Sequence, residues 1–598
     1  MRLHSLAAAL ACAGLFAACG GGSSSPSPAT TGPVTLTGVV ATGAALANAS
    51  VTVKCSTGTG TATSSSSGAY TATITGGVLP CVLEATGGGN SLHSVATGSG
   101  TSATANITPL TELLVAQLSA QNPATFYQTN TATLATTVTT TTVATAQTAV
   151  VGTLSAAGVS TSSITNMVTD PLVASVGGTG GNAYDGVLVA LQNTLTTAGT
   201  TLAQLTTAVA TGAAGTAAGA PGTPATATDT ASLPADLLLK PQASNCAALR
   251  STTYRSFGFE PSSTTGPSDP VTSADTFVID AANAAGPTIT NSDGSIDNLT
   301  ADPTDKCKFS WNPGPTPNVV TVSPAGVLVA RIYDDVTLNY SVGMAFPLQT
   351  IPLSALAGTW NVLGWEGNAG VFGVSAGTVV VNSSGAVTST RCFDPPDFIN
   401  TIESNCITDT TLLPFFSARA NDANGANGGF DLTSTDPADV FKDRGFAYRA
   451  GNGDLMMALL SADGSFNLIT QYRTQNLPTV GNVTTRWNFD IDTALLANLP
   501  LAANTHTIIS LDAAPGSFTR STAPAGTTVS HPEHLARNIA RNGYTHRTGE
   551  TGVIASNGST VNVREFYSMG LRGMGVTPVF LPANATNIDR FTISVDQP

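Results

Sequence analysis

Few residues in this 598-residue chain are spaced for chemistry. Gly373-Val374-Ser375-Ala376-Gly377 has the G-x-S-x-G spacing of a nucleophilic serine on a strand-to-helix elbow. The residues that follow, Thr378-Val379-Val380-Val381, continue as a strand and run to the Ser384-Gly385 turn, so the helix that an elbow needs is missing. His531-Pro532-Glu533-His534, with His546 beyond it, is the main histidine cluster. Histidine is the commonest metal ligand, but the H-E-x-x-H spacing is absent. Arg537, Arg541 and Arg547 also put positive charge where a cation would sit. The pattern predicts a helix over residues 532–541, with basic residues at the C-terminal end that its dipole favours. Asp422-Ala423-Asn424-Gly425 lacks the acidic ladder and closing glutamate of a calcium loop. Glu366, Asp394, Asp397, Glu403 and Asp443 offer carboxylates for a glycosidase pair, which needs two carboxyls about 5 to 9.5 Å apart. Sequence spacing does not set that distance. The expectation is no catalytic residue, no metal and no cofactor.

Cysteine supplies a different chemistry. Beyond Cys12 and Cys19 stand Cys55, Cys81, Cys246, Cys307, Cys392 and Cys406. None has C-x-x-C spacing, and an even number fits disulfides formed in an oxidising compartment. Each sequence-local pair falls inside one proposed segment, which predicts Cys55–Cys81, Cys246–Cys307 and Cys392–Cys406.

The amino terminus explains that compartment. Arg2 precedes a short apolar run, Leu6 to Ala18, too short to span a bilayer, which takes roughly 20 residues. It reads as a secretory signal over residues 1–18. Phe16-Ala17-Ala18-Cys19 resembles the lipobox of bacterial lipoproteins, with Phe16 where that family usually carries leucine. The resemblance implies that Cys19 is lipidated. Residues 19–32, rich in Gly, Ser and Pro, form the flexible tether that an anchored domain needs. By the same resemblance, Gly20 after the cysteine permits sorting to the outer membrane. Acyl chains would then be the membrane contact.

Composition narrows the partners. The net charge is -14, the opposite of the basic face that neutralises nucleic-acid phosphates. Charged residues make up 10%, against a usual ~25%, so a Gly-, Ala-, Thr- and Ser-rich surface is expected. The chain changes character near residue 240. Lys54 is the one Lys or Arg between Leu3 and Leu239, and only five of the 35 aromatic residues precede Arg250. Large aromatic cores are therefore expected only in the C-terminal half.

The predicted fold is multidomain and mainly β. A small β-sandwich (33–100) comes first, then a helical Ala/Thr-rich segment (101–217). A linker (218–244) leads to a large β-rich domain, sandwich or barrel (245–598). In the first unit, Val51-Thr52-Val53 and Tyr70-Thr71-Ala72 alternate with the period of half-buried strands, and Pro80 predicts an edge strand. Gly38-Val39-Val40, Leu46 to Val53 and Gly68-Ala69-Tyr70 resemble the carboxypeptidase regulatory-like (transthyretin-type) β-sandwich, which implies a non-catalytic spacer or interaction module. Thr108 before Pro109 predicts a capped helix. Asn182 does the same for a helix with Tyr184, Val187, Leu188, Leu191 and Leu195 on one face, and Leu202, Leu205 and Val209 continue a third. The Thr-rich run 131–150 satisfies neither period cleanly.

In the last unit, turn signals recur between apolar runs, and residues 446–449, 455–460 and 466–472 form the clearest meander. Trp360, Phe446, Tyr448, Phe466 and Tyr472 are expected on strands, where they fill a packed core or, as the alternative, line an apolar pocket that takes any ligand. Leu356-Ala357-Gly358-Thr359-Trp360 resembles the Gly-x-Trp opening of lipocalin-like barrels. The expected function is binding, adhesion or scaffolding at the envelope without catalysis, through a protein or glycan partner that the residues do not name. The alternative is a hydrolase of envelope or extracellular polymer acting through the C-terminal unit.

Overall fold

The computed structural model describes residues 32–598 apart from 130–131, 219–229, 260–273, 313–316, 335–338, 369–370, 393–410, 420–427, 436–441, 462–464, 492–500, 540 and 583–589. The leader, Cys19 and its tether up to residue 31, Cys406, Asp394, Asp397, Glu403, the loop at Asp422 and the side chain of Glu366 lie outside the described residues. The fold is mainly β: a small sandwich, then helices, then a large region of sheets that includes a closed barrel.

Alternation builds the sandwich. Ser50–Thr57 and Ala69–Ile74 bury every second residue. One sheet runs Ala69–Ile74, Val34–Val39, Ser102–Thr104, and the other runs Thr59–Thr63, Ser50–Thr57, Val78–Gly87, Asn90–Ala96. The buried Tyr70 donates its hydroxyl to the Ala105 carbonyl at 2.5 Å. A Cβ at Gly38 would stand 2.1 Å from that oxygen and 3.0 Å from the tyrosine ring, so only glycine fits there. The expectation of an edge strand at Pro80 is corrected. Val78–Gly87 pairs on both sides. Pro80 is tolerated because the ladder to Ser50–Thr57 slips between Cys55 and Thr57, while pairing with Asn90–Ala96 starts at Cys81.

Cys55 and Cys81 are register partners and are disulfide-bonded. The bond closes a loop of sequence separation 26. Replacing both cysteines with serine is expected to cost about 3 kcal/mol on the chain-entropy account, read as a lower urea midpoint. An unchanged midpoint would refute the estimate.

Helix caps are local and form as their residues dictate. Thr108 accepts from the Thr111 amide and starts Pro109–Ser119 in a capping box. Asn182 caps Ala183–Ala198. The Thr-rich run resolves as Leu134–Thr137 and Thr140–Ala156, the second opened by another capping box at Thr139. Threonine hydroxyls there donate back to carbonyls four residues earlier, as Thr145 does to Thr141 and Thr148 to Ala144. Helices and sandwich share one core, from Val34 and Leu36 through Leu113 and Leu114 to Leu188 and Leu205. The helix Leu202–Ala218 also meets the C-terminal half. A Cβ on Gly215 would lie 1.7 Å from the Asn452 carbonyl oxygen, so this approach requires glycine.

The C-terminal half holds three large β assemblies. A nine-stranded antiparallel sheet spans Thr252–Phe259 to Asn339–Pro347. An eight-stranded sheet follows, with Val387–Cys392 at one edge and Phe415–Ala418 at the other. Those edges meet at a bridge between Ala386 and Phe415, so this sheet curls nearly shut. The third assembly is a closed eight-stranded barrel formed by residues 483–596. One core joins all three: Phe257 and Phe346 from the first, Trp365, Tyr448 and Phe466 from the second, Trp487, Phe591 and Ile593 from the third. Phe591 meets Phe466 edge-on at 5.4 Å, and Phe346 stacks on Tyr448 at 5.6 Å.

Of the two expectations for these aromatics, the structure shows the packed core for Trp360, Phe446, Tyr448 and Phe466. Phe446, Tyr448 and Phe466 share a face and close-pack in that core. Trp360 lies in a separate apolar cluster with Phe416 and Phe430, donating its indole N–H to the Leu356 carbonyl at 2.8 Å. Tyr472 follows the strand Phe466–Gln471 and is half-buried.

Candidate functional site

The closed barrel carries the candidate site. Its strands, in order around the wall, are Val483–Ile491, Leu501–Leu511, Ser517–Pro524, His531–Arg537, Tyr544–Arg547, Phe566–Met569, Val576–Leu581 and Arg590–Asp596, and the last pairs with the first. A hairpin, Glu550–Ile554 with Thr560–Val563, stands between the fifth and sixth. Eight strands give a lumen just wide enough to be filled by side chains or to hold one small ligand. Here the lumen, together with the segment Gln475 to Thr479 and Pro324 outside the strands, lines an open cavity of about 920 Å³.

Period-two alternation divides each strand. On the first, Trp487, Phe489 and Ile491 turn out into the shared core, while Arg486, Asn488 and Asp490 line the cavity. On the last, Phe591, Ile593 and Val595 turn out, while Arg590, Thr592, Ser594 and Asp596 turn in. On these two strands the packed outer face is apolar and the inner face polar, whereas Phe518, Leu535 and Phe566 on other strands turn apolar side chains into the lumen.

The inward polar groups form short ion-paired layers. Arg486 Nε lies 2.6 Å from Asp596. Asp490 accepts from Arg590 at 3.1 Å and from Thr592 at 2.7 Å. At the centre Glu533 is buried between two guanidinium groups, Arg520 at 2.7 Å on Oε2 and Arg547 at 2.6 Å on Oε1. Burial alone would raise this carboxyl, but Arg520, a hydrogen bond from His531 and Arg547 outweigh it and hold it well below the usual carboxylate range. Burial lowers Arg520, and it brings Arg547 down to about 10. Arg547 also lies over the Phe566 ring at 4.3 Å, next to Phe518 and Leu535.

His506 shares this lumen, with Nδ1 2.9 Å from the Thr522 hydroxyl. Burial, then the charges of Arg520 and Arg486, push the imidazole down to about 2. The unfolded side chain titrates near 6.5. Below that pH the unfolded chain binds a proton that the folded barrel refuses, so stability falls as pH falls from about 6.5 towards 2. Replacing His506 with asparagine is expected to remove about 2 kcal/mol of the stability difference between pH 7 and pH 4.5. Urea titrations at both pH values check this, and an unaltered difference would sink it.

The residues singled out from sequence fare unevenly. The expected helix over 532–541 is a strand, His531–Arg537, with Ser517–Pro524 on one side and Tyr544–Arg547 on the other. Residues four apart share a face in both helix and strand. Glu533 and Arg537 therefore satisfied the helical reading while obeying strand parity, which also puts Leu535 inside. Among the described residues no group of three His, Cys, Asp or Glu side chains could hold a metal. His531 lies 3.4 Å from Glu533, His534 is exposed on the opposite face, and His546 pairs with Glu565 at 2.9 Å and stacks on Tyr567.

Ser375 sits in the middle of the strand Val371–Val381, hydrogen-bonded to Asn467, with no helix after it. Asp443 is half-buried on the strand Lys442–Arg449. Cys246 is disulfide-bonded to Cys307 and Cys392 is also disulfide-bonded, whereas Cys406 lies outside the described residues. Arg537 and Arg547, first noted as obstacles to a metal, line the cavity. Arg486, Asp490, His506, Arg520, Arg590 and Asp596 carried no sequence signal beyond alternation.

No protein-family model matches the chain, and no curated protein is similar to it in sequence.

Proposed function

We propose that the chain is a non-catalytic, lipid-anchored envelope protein whose C-terminal barrel binds a small polar solute. The observation that carries this reading is the open cavity of about 920 Å³ lined by a closed barrel and its ion-paired side chains. Ligand sites are concave, largely preformed and equipped with a few placed polar groups. A stability-only barrel would gain more from filling that volume with apolar side chains.

The lumen chemistry favours binding over the hydrolase alternative. Glycosidic cleavage asks for one carboxyl kept protonated as general acid. Glu533, Asp490 and Asp596 are each bonded to arginine, and Glu533 is held well below the usual range. The small sandwich and helices then serve as a spacer between the membrane and the barrel, the role implied by the regulatory-like resemblance. Cys19 anchors the protein, probed by loss of labelled palmitate in Cys19→Ala.

The binding reading is tested on the purified full chain by thermal-shift screening of a broad library of small polar metabolites. Thr577→Trp and Asn504→Trp, which project bulk into the lumen, serve as blocked controls. A saturable stabilisation of the wild type that is lost in a folded blocked variant supports the reading. A wild type that no compound stabilises overturns it.

A further inference from the structure

The lumen has a preferred charge. Among the described residues of its strands, Arg486, Arg520, Arg537, Arg547 and Arg590 face the cavity, against three acids, Asp490, Glu533 and Asp596. This cationic excess sits inside a chain of net charge -14. It is concentrated where two guanidinium groups share one carboxylate. Arg520 uses Nε and Nη2 on Glu533 Oε2, and Arg547 uses Nη1 on Glu533 Oε1 and Nε on the Arg564 carbonyl. A guanidinium has five N–H donors in a planar fork. Nη1 of Arg520 and Nη2 of Arg547 make no hydrogen bond among the described residues, and neither is among the fully buried unpartnered atoms. Both residues line the cavity, so these edges can donate into it, and a guanidinium fork suits a carboxylate or phosphate.

The neighbouring wall is apolar. Phe518, Leu535 and Phe566 form a cluster inside the barrel with Ile508, Val579 and Leu581 packed against it, and all six line the cavity. Arg520 and Arg547 both lie over the Phe566 ring, so the charged and apolar surfaces adjoin.

We infer that the ligand is an amphipathic organic oxyanion, its carboxylate or phosphate taken by the free edges of Arg520 and Arg547 and its apolar body laid on Phe518, Leu535 and Phe566. Glu533 acts as a built-in counter-ion that keeps both guanidinium groups in place when the site is empty, without neutralising them both. This inference rests on the reading of the barrel as a binding module.

The test is calorimetric titration of the full chain with five probes: benzoate, phenyl phosphate, inorganic phosphate, benzyl alcohol and benzylamine. Benzoate or phenyl phosphate is expected to bind saturably and at least tenfold more tightly than benzyl alcohol and benzylamine, and the tighter of the two tells carboxylate from phosphate. Arg520→Gln and Arg547→Gln are each expected to weaken that binding at least tenfold. Because either variant could misfold, Arg547→Lys is the second arm. It keeps a cation beside Glu533 but loses the planar fork, so it is expected to fold and to bind the anion several-fold less tightly than the wild type, and a folded Arg547→Lys that binds like the wild type overturns recognition by the fork.

Benzylamine or benzyl alcohol binding as well as benzoate overturns the anion while leaving a binding barrel. Inorganic phosphate binding as tightly as phenyl phosphate overturns the apolar contact. Failure of all five probes, when a neutral compound from the screen still binds the unblocked lumen, overturns the ligand class alone. If the screen is also blank, the binding reading falls with it.

Discussion

Glu533→Ala is expected to destabilise the protein by about 3 to 5 kcal/mol, the usual cost of removing one partner from a buried ion pair. The carboxylate is almost fully buried, with arginines 2.7 and 2.6 Å away on its two oxygens. Alanine would leave the two largely buried guanidinium groups without the carboxylate that stands between them. Most of the loss comes from their uncompensated charge, so Glu533→Gln should behave similarly at neutral pH. The wild type carries a matching acid sensitivity. The folded carboxyl titrates well below its unfolded value of about 4.3. Its contribution is therefore full above pH 5 and is lost as pH falls towards the folded value, because the unfolded chain takes the proton first. Urea unfolding from pH 7 down to pH 3 checks both parts. A Glu533→Ala midpoint within error of the wild type at pH 7, or equal acid slopes in the two proteins, would refute the electrostatic account.

The second large effect is expected at Asp454→Ala, about 3 to 5 kcal/mol for the same reason, but with another consequence. Asp454 is fully buried just after the turn at Asn452-Gly453. Arg473 Nη1 lies 2.8 Å from one oxygen, and the other accepts from Arg572 Nε at 3.3 Å and Asn452 Nδ2 at 2.8 Å. Asp454 belongs to the eight-stranded sheet's turn, Arg572 to a barrel loop and Arg473 to the segment between them. Arg572 also donates to the Thr474 carbonyl, and Gln475 bonds to Asn538, Gly543 and Thr545 on the barrel. Removing the carboxylate should uncouple the barrel from the sheet as well as weaken both. Hydrogen exchange is expected to show the barrel strands losing protection before the strand Leu455–Leu460. Uniform loss across both, or no loss, would argue that the shared aromatic core alone couples them.

Local chemistry was legible in the residues, and distant pairing was not. Thr108 with Pro109 and Asn182 with its apolar stripe announced helices because a cap and a face are written within a dozen residues. Thr140–Ala156 was obscured because β-branched threonines lower helix propensity, and the capping box at Thr139 that offsets this is made of threonines too. The meander at 446–472 was readable from its alternation, yet alternation does not say what a face meets. Phe446 and Tyr448 turned out to meet other sheets. The lumen depended most on long-range register. Arg486 finds Asp596, and Asp490 finds Arg590, only because the first and last barrel strands close on each other. No spacing within one strand encodes that closure.

The barrel's closing seam also sets an order of events. The strand Arg590–Asp596 pairs with Val483–Ile491 about a hundred residues earlier, supplies Phe591, Ile593 and Val595 to the common core, and sends Thr592, Ser594 and Asp596 into the lumen. A chain made from its amino end reaches this strand last. The sandwich and helices precede the barrel in the chain and can settle while the barrel still has two open edges. Non-local pairing is slow to form, and open strand edges invite pairing with other chains. Ring closure is thus the late step in maturation, and it completes the outer wall and the charged interior at the same moment.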